Sequence, residues 1–210
     1  MTLEKQQTVV AIGDSVIEGK AALEDKGWVY LFSNHLRGLG FEHSLVNNGS
    51  GGNTSEDVRR SLREDCLNHN PDLVILGVGV NDSRFRPSKG GNDVELRRFQ
   101  ENVRYIVEQV RALSKASNMI VVGQAPVIDE LVDPYKPDKH YRRALQVPYE
   151  RVLEEQAKSS QSTFVPIFDE WVSRGDDFVR THLADGLHPN VDGHQVIEKS
   201  VFNLSRFAVT

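Results

Sequence analysis

The sequence predicts an α/β fold in which helices cover both faces of a parallel sheet. Short apolar runs that end in turn-forming residues recur along the chain, which is typical of buried parallel strands. Segments with apolar residues at helical spacing separate these runs, so strand and helix alternate about five times. The 210 residues show no fixed-period repeat and no linker, so residues 1–210 are predicted to form a single domain.

The first predicted strand covers residues 9–12 and ends at Gly13, which places Ser15 at the carboxyl end of a strand. In an open α/β sheet, ligands bind at that edge because strand ends and helix N-termini converge there. Ser15 is therefore a candidate nucleophile, with a simple helix cap as the alternative. After a polar linker, apolar residues recur at helical spacing from Trp28 onward, and Gly40 is predicted to end this helix.

The next elements repeat the pattern of strand, loop and helix. A strand is predicted over residues 41–46, and residues 47–53 are so rich in Gly and Asn that they predict a loop. Thr54 and Asp57 have the spacing of a capping box, which predicts that a helix begins there. This loop, like Ser15, therefore lies at the carboxyl end of a strand.

The second half of the chain continues the alternation. The remaining predicted strands cover residues 73–78, 119–122 and 163–168, and the remaining predicted helices cover residues 94–114, 141–158, 176–180 and 190–206. The stretches 83–93 and 127–138 are rich in Pro, Gly and charged residues and are predicted to be irregular. Asn81 follows the third strand, and Asp185 and His188 lie in the last loop.

Composition and charge exclude several classes of protein. The net charge is -5 and the sequence pI is about 5.8, without a basic block, so nucleic acid is not an expected partner. The single cysteine, Cys66, excludes an internal disulfide and a multi-cysteine zinc site, and no histidine cluster predicts a metal. The N-terminal residues lack the apolar region of a signal peptide, and no apolar run approaches the roughly 18 residues of a membrane span. These features predict a soluble, cytoplasmic chain, and they leave its oligomeric state open.

Four predicted loops carry residues with complementary roles in acyl transfer. A serine hydroxyl is a weak nucleophile until a base takes its proton, and histidine suits that task at neutral pH. His188 is the candidate base, and Asp185, three residues earlier, is placed to hold its other ring nitrogen. The tetrahedral oxyanion needs donors, for which the candidates are the Gly52 N–H, the Asn81 side chain and the Ser15 N–H.

Four short sequence blocks contain these candidates. They are Gly13-Asp14-Ser15, Gly51-Gly52-Asn53-Thr54, Gly79-Val80-Asn81-Asp82 and Asp185-Gly186-Leu187-His188. Together the blocks resemble those of the SGNH hydrolases, also called GDSL esterases and lipases. The resemblance implies a flavodoxin-like three-layer α/β/α sandwich with strand order 2-1-3-4-5 and a triad of Ser15, Asp185 and His188. It assigns the oxyanion glycine to Gly52, with Gly49 and Gly51 as alternatives.

The resemblance implies a serine esterase that hydrolyses carboxylic esters through an acyl-enzyme and needs no cofactor. The substrates left open are short-chain esters, acetylated sugars, lysophospholipids and thioesters. Short acyl chains are expected, because residues 83–93 and 127–139 offer little apolar material for a deep pocket or a lid. The alternative is a non-catalytic phosphate- or nucleotide-binding module in which residues 49–54 hold an anion at a helix N-terminus. That alternative leaves Asp185 and His188 without a role.

The expectations for the residues beside the four blocks are less specific. Asp14 is expected to accept N–H bonds in its turn, and Asp82 is expected to brace the loop of Asn81. A further set of charged and aromatic residues is expected in solvated loops, with pocket lining as the alternative. These residues are Arg84, Phe85, Arg86, Tyr135 and Tyr141.

Overall fold

A parallel sheet forms the centre of the fold. The computed structural model describes residues 7–22, 25–113 and 118–205. Within these residues the strands are β1 (Gln7–Gly13), β2 (His43–Gly49), β3 (Leu73–Gly77), β4 (Phe85–Arg86), β5 (Gly91–Asn92), β6 (Asn118–Val122) and β7 (Thr163–Val165). Five of them form the parallel sheet in the order β2-β1-β3-β6-β7, and β4 pairs with β5 in a separate antiparallel hairpin. When only the strands of the large sheet are numbered, this is the predicted order 2-1-3-4-5, so the predicted fold is confirmed.

Helices cover both faces of this sheet. They are α1 (Ser15–Glu18), α2 (Trp28–Gly38), α3 (Ser55–Asp65), α4 (Leu96–Leu113), α5 (Asp129–Val132), α6 (Arg143–Ser159), α7 (Ile167–Ser173), α8 (Asp176–His182) and α9 (Val191–Leu204). Side chains alternate along a strand, so Val10 and Ile12 of β1 face α3, α4 and α6, while Val9 and Ala11 face α2, α7 and α9. A fully buried aliphatic side chain contributes about 1.5–3 kcal/mol relative to an exposed one. Burial on both faces therefore explains why the strands read as continuous apolar runs.

The Gly- and Asn-rich stretch after the second strand is partly a strand, so the prediction of a loop over all of it is wrong. Residues 47–49 extend β2 and pair in register with residues 11–13 of β1. The Asn47 side chain holds this extension, because its Nδ2 donates to the Ile17 carbonyl at 2.9 Å and its Oδ1 accepts the Gly49 N–H at 3.1 Å. Pairing with β1 thus outweighs the low strand propensity of Gly and Asn.

The other differences between the predicted and the observed secondary structure concern the ends of elements and several short elements. The last strand of the sheet ends at Val165 rather than at residue 168, because Pro166 has no N–H for the ladder and α7 begins directly after it. Helix α5 and the hairpin of β4 and β5 lie in stretches predicted to be irregular, and α1 lies at the start of the predicted polar linker. Each of these elements is too short for hydrophobic periodicity to reveal. Ser114 and Arg206, the predicted ends of two helices, lie outside the described residues.

Glu150 of α6 is a carboxyl group buried inside the fold. Its Oε2 accepts the Gln124 N–H at 2.9 Å, whereas Oε1 has no hydrogen-bond partner in the part of the chain that the structure describes. Burial raises the pKa of Glu150 to about 7, although the hydrogen bonds from Gln124 oppose this shift. The folded protein therefore favours the protonated carboxyl.

We expect Glu150→Gln to stabilise the protein at alkaline pH. The pKa of Glu150 rises from 4.5 to about 7 on folding, so its stabilising contribution is fully present below the lower value and is lost as the pH rises through the higher one. Because one pKa unit corresponds to about 1.4 kcal/mol, glutamine should raise the free energy of unfolding by about 3 kcal/mol at about pH 8 and by little at about pH 4. Urea denaturation at both pH values measures this difference. An equal gain in stability at the two pH values would contradict the raised pKa of Glu150.

Candidate active site

The first three strands of the chain bring the predicted site loops to one edge of the sheet. Gly13 at the end of β1 is in register with Gly49 of β2 and with Gly77 of β3. The Asp14 N–H donates to the Gly77 carbonyl at 3.2 Å, and the Ser50 N–H donates to the Gly13 carbonyl at 3.0 Å. The chain segments that follow these strands therefore leave the sheet side by side.

Ser15 is the first residue of α1 and is buried, as is the residue before it, Asp14. The Asp14 carboxylate caps the helix, because its Oδ1 accepts the Val16 N–H at 2.9 Å. Burial raises the pKa of Asp14 to about 7, and the negative charge of Asp82 adds to this shift, although the Val16 hydrogen bond lowers it. As the first residue of α1, Ser15 has a backbone N–H with no acceptor inside the helix.

The three candidate glycines, at the end of β2 and in the loop after it, have different environments. Gly49 is packed so tightly that a Cβ would lie 2.2 Å from the Glu18 nitrogen, and its N–H already donates to Asn47 Oδ1. Gly52 is exposed and has a positive φ of +88°. The N–H groups of Gly51 and Gly52 donate to no described residue. Among the three candidate glycines, these two therefore have N–H groups available for a ligand.

The Asn81 side chain lies beside this loop. Its Nδ2 donates to the Asn53 carbonyl at 3.0 Å, and its Oδ1 accepts hydrogen bonds from Arg84 and Tyr141. Arg84 and Tyr141 are buried, so the expectation that both lie in solvated loops is wrong. For Arg84 the reason is the Asp93 carboxylate, which forms an ion pair with it and compensates its charge away from water, and the Tyr141 hydroxyl is in turn bonded to Arg84.

Asp82, the residue after Asn81, links two of the loops. Its Oδ1 accepts the N–H of Ser55 at 2.8 Å and the hydroxyl of Ser55 at 2.6 Å, which ties the start of α3 to the end of β3. Burial raises the pKa of Asp82 to about 7, against the opposing hydrogen bonds from Ser55. Asp82 is completely buried, so it has no access to a substrate.

Asp185 and His188 form a hydrogen-bonded pair in the loop before α9. His188 Nδ1 lies 2.8 Å from Asp185 Oδ2, and Asp185 Oδ1 accepts the N–H groups of Leu187 and His188 at 3.0 and 2.8 Å. Burial raises the pKa of Asp185, but the hydrogen bonds from His188 outweigh it and bring the pKa below the ordinary value. The ionised carboxylate places the hydrogen of a neutral His188 ring on Nδ1 and leaves Nε2 as an acceptor.

Tyr135 lies against this pair. Its hydroxyl is 3.4 Å from Asp185 Oδ2, and its ring meets the His188 ring edge-on with centroids 6.3 Å apart. Tyr135 is partly exposed, so the alternative of pocket lining describes it better than a solvated loop does. Phe85 and Arg86 are also only partly exposed.

The segments that carry Ser15, Asn81 and His188 adjoin one another around a small cavity. The cavity has a volume of about 20 Å³, and the neighbours of these three residues in the sequence line it, namely Val16, Val80 and Leu187. No hydrogen bond shorter than 3.5 Å joins the Ser15 hydroxyl to His188. The segments of Ser15, Asn81 and His188 therefore border one cavity, and the Ser15 hydroxyl is not hydrogen bonded to His188.

Clusters of metal-ligating side chains and membrane-spanning helices are both absent from the described residues. Within residues 7–22, 25–113 and 118–205, no group of three His, Cys, Asp or Glu side chains is arranged to hold a metal ion. In the same ranges, no helix has both the length and the apolar character needed to cross a bilayer. Cys66 is buried in the core, and burial raises the pKa of its thiol to about 12, so it is not a reactive thiolate.

Comparison with known proteins finds relatives that cover most of the chain. The profile of the GDSL-like Lipase/Acylhydrolase family matches residues 11–196. Esterase TesA from Pseudomonas aeruginosa is 26% identical over 183 residues, which is 87% of this chain and 80% of that protein. An acetylxylan esterase from Geobacillus stearothermophilus is 25% identical over 95% of this chain and 94% of that protein.

Solved structures share the fold. The crystal structure of Axe2, an acetylxylan esterase from Geobacillus stearothermophilus, matches with a TM-score of 0.76 at 22% identity and covers 99% of this chain and 98% of that chain. The crystal structure of TesA matches with a TM-score of 0.73 at 23% identity and covers 95% of this chain and 98% of that chain. Two other Axe2 structures are catalytic mutants in which alanine replaces a serine or a histidine.

Proposed function

The chain belongs to the GDSL-like lipase/acylhydrolase family and is a carboxylic ester hydrolase, and we propose that it works as a serine esterase. In this proposal Ser15 is the nucleophile, His188 is the base, and Asp185 orients the base. The observation that carries it is the 2.8 Å hydrogen bond between His188 Nδ1 and Asp185 Oδ2. That bond leaves Nε2 unprotonated in the neutral ring, which is the form that accepts a proton from serine.

The proposed reaction proceeds in two stages. His188 Nε2 takes the proton of the Ser15 hydroxyl while the oxygen attacks the ester carbonyl carbon. The tetrahedral intermediate collapses, the bond to the alcohol breaks, and His188 returns the proton to the leaving alcohol. Water then attacks the acyl-enzyme with the help of His188, which releases the acid and restores Ser15. Catalytic hydrogen bonds often tighten only with substrate bound, so the contact between Ser15 and His188 is expected to form in that complex.

Three donors are proposed for the oxyanion: the Ser15 N–H, the Gly52 N–H and Asn81 Nδ2. The choice of Gly52 over Gly49 is supported by the use of the Gly49 N–H within its own loop. Gly51 remains the alternative, since its N–H is also available among the described residues. Donors that are held in place before the reaction lower the barrier because they need no reorganisation when the charge develops.

Short acyl esters, from acetyl to butyryl, are the proposed substrates. The apolar cavity beside the site has a volume of about 20 Å³, which is room for about one methyl-sized group. A 2.7 Å ion pair between Arg86 and Asp138 joins the two stretches beside the site, and the apolar residues Val127 and Val132 are buried in a small core cluster. The relatives include an acetylxylan esterase and an Escherichia coli protein named thioesterase 1/protease 1/lysophospholipase L1, so acetylated carbohydrates and thioesters are the two natural classes to compare.

We expect a p-nitrophenyl ester series to give its highest kcat/KM at about four acyl carbons or fewer. A pocket built for long chains would gain about 0.8 kcal/mol per buried methylene, or roughly fourfold in kcat/KM for each carbon added. Hydrolysis rates across the series, with Ser15→Ala as the blank, test this expectation. An optimum at about eight carbons, or a sharp rise above the critical micelle concentration of the substrate, would contradict it.

A further inference from the structure

Asn81 is part of a closed triangle of buried side chains. Arg84 Nη1 lies 3.2 Å from Asn81 Oδ1, and the Tyr141 hydroxyl lies 3.0 Å from the same oxygen. Arg84 Nη1 also donates to the Tyr141 hydroxyl at 2.9 Å. The exposed fractions of Asn81, Arg84 and Tyr141 are only 3%, 6% and 4%, so water does not compete for these hydrogen bonds.

This triangle determines which way the Asn81 amide faces. An arginine side chain has only donors, so the group that Asn81 presents to Arg84 must be the amide oxygen. The amide nitrogen then faces the Gly-rich loop, where one of its hydrogens is donated to the Asn53 carbonyl at 3.0 Å. The second hydrogen has no acceptor among the described residues and is left for a ligand. A flipped amide would bring its NH₂ group against the guanidinium, which is unfavourable for two donors.

Arg84 and Tyr141, which hold the Asn81 amide, are themselves fixed as hydrogen-bond donors. Arg84 Nε donates to Asp93 Oδ2 at 2.6 Å, and Arg84 Nη2 donates to the same oxygen. Burial acts to raise the pKa of Asp93, but hydrogen bonds from Lys89 and Arg84 bring it below its ordinary value, so Asp93 is ionised. Burial raises the pKa of Tyr141, and its hydroxyl therefore stays protonated at neutral pH.

We propose that Arg84 and Tyr141 are positioning residues that hold and polarise the Asn81 amide for the oxyanion. This inference rests on the oxyanion role proposed for Asn81 above. A charged donor on the amide oxygen draws electron density from the nitrogen, which strengthens the remaining N–H as a donor. The two residues also prevent the amide from rotating, so the donor is aimed at the oxyanion before the negative charge develops.

The first test removes the hydroxyl of Tyr141. Tyr141→Phe should lower kcat for p-nitrophenyl acetate by about 5- to 20-fold and change KM by less than about 2-fold, because the lost interaction acts in the transition state. Tyr149→Phe is the matched control, because its buried hydroxyl donates to the Val94 carbonyl at 2.6 Å and does not touch Asn81. The control should lower the melting temperature and leave kcat within about 2-fold. A fall in kcat that is equal in both variants would overturn the inference.

The second test is a double-mutant cycle, which separates a role through Asn81 from a general structural role. In the Asn81→Ala background, Tyr141→Phe should change kcat by less than about 2-fold, because the residue through which it acts is gone. The affinity of a phenylboronic acid, which forms a tetrahedral adduct with serine, should weaken in Tyr141→Phe by the same factor as kcat. Arg84→Lys keeps the charge but loses the fork of donors, and it should also lower kcat without raising KM.

The outcomes of the cycle distinguish this inference from the proposed function. If Asn81→Ala lowers kcat and Tyr141→Phe lowers it further by its full factor, the positioning role is wrong while the oxyanion role of Asn81 stands. If Asn81→Ala leaves kcat unchanged, the oxyanion role itself is wrong, and the positioning role fails with it. If Tyr141→Phe lowers kcat in the unmodified protein but not in the Asn81→Ala background, the result supports both the oxyanion role of Asn81 and the positioning role of Tyr141.

Discussion

A Ser15→Ala variant should lose covalent labelling by a fluorophosphonate and about 10⁴- to 10⁶-fold in kcat. Alanine has no oxygen that forms the acyl-enzyme, so only the binding groups and the oxyanion donors remain to stabilise the transition state. The side chain of Ser15 is buried and makes no hydrogen bond to a described residue, so its removal should leave stability nearly unchanged. A large loss of rate with an unchanged melting temperature is therefore the expected result.

Intact-mass analysis after fluorophosphonate treatment measures the labelling directly. The unmodified protein should gain one adduct on the peptide that contains Ser15, and Ser15→Ala should gain none. Ser83→Ala is the matched control, because Ser83 is a buried serine near the site whose hydroxyl donates to the Val80 carbonyl at 3.2 Å. It should label fully. An adduct on Ser15→Ala would contradict the nucleophile assignment, and so would complete absence of labelling in the unmodified protein.

The parts of the fold that the sequence predicts well are those set by local pattern. The parts of β1 and β3 that are buried on both faces are continuous apolar runs, so both strands are visible in the sequence. The strand residues 47–49 could not be predicted in this way, because their composition favours a loop and only pairing with β1 makes them a strand. Short elements such as α1 and α5 span about one turn and leave no periodic signal.

The same distinction applies to the candidate site. Asp185 and His188 are three residues apart, so the spacing in one tight loop is enough to predict that they meet. Tyr141 is 60 residues from Asn81, and Arg84 is held by a carboxylate nine residues away across a hairpin. The sequence shows Arg84 and Tyr141 as ordinary loop residues, because nothing in their surroundings along the chain reveals what they touch in space. A buried arginine beside a predicted oxyanion residue is recognisable only once the tertiary contacts are known.

Asn81→Ala should lower kcat by about 10²- to 10³-fold with little change in KM, which is the usual cost of one lost oxyanion donor. The ground-state ester carbonyl carries little charge, so the donor matters mainly when the tetrahedral oxyanion forms. The substitution also removes the acceptor of Arg84 and Tyr141, but Arg84 keeps its ion pair with Asp93. The fold is therefore expected to persist, and a circular dichroism melting curve checks this beside the steady-state kinetics.

Asn102→Ala controls for the loss of a buried asparagine. Asn102 is fully buried, its Nδ2 donates to Ser55 Oγ at 3.0 Å, and its Oδ1 accepts from Arg59 at 3.1 Å, so its removal leaves comparable polar groups without partners. That variant should lose stability and keep kcat within about 2-fold, because it touches none of the proposed oxyanion donors. If Asn81→Ala instead raises KM and leaves kcat unchanged, Asn81 stabilises the bound substrate and the transition state equally. The oxyanion would then depend on the backbone donors of Ser15 and the glycine-rich loop alone.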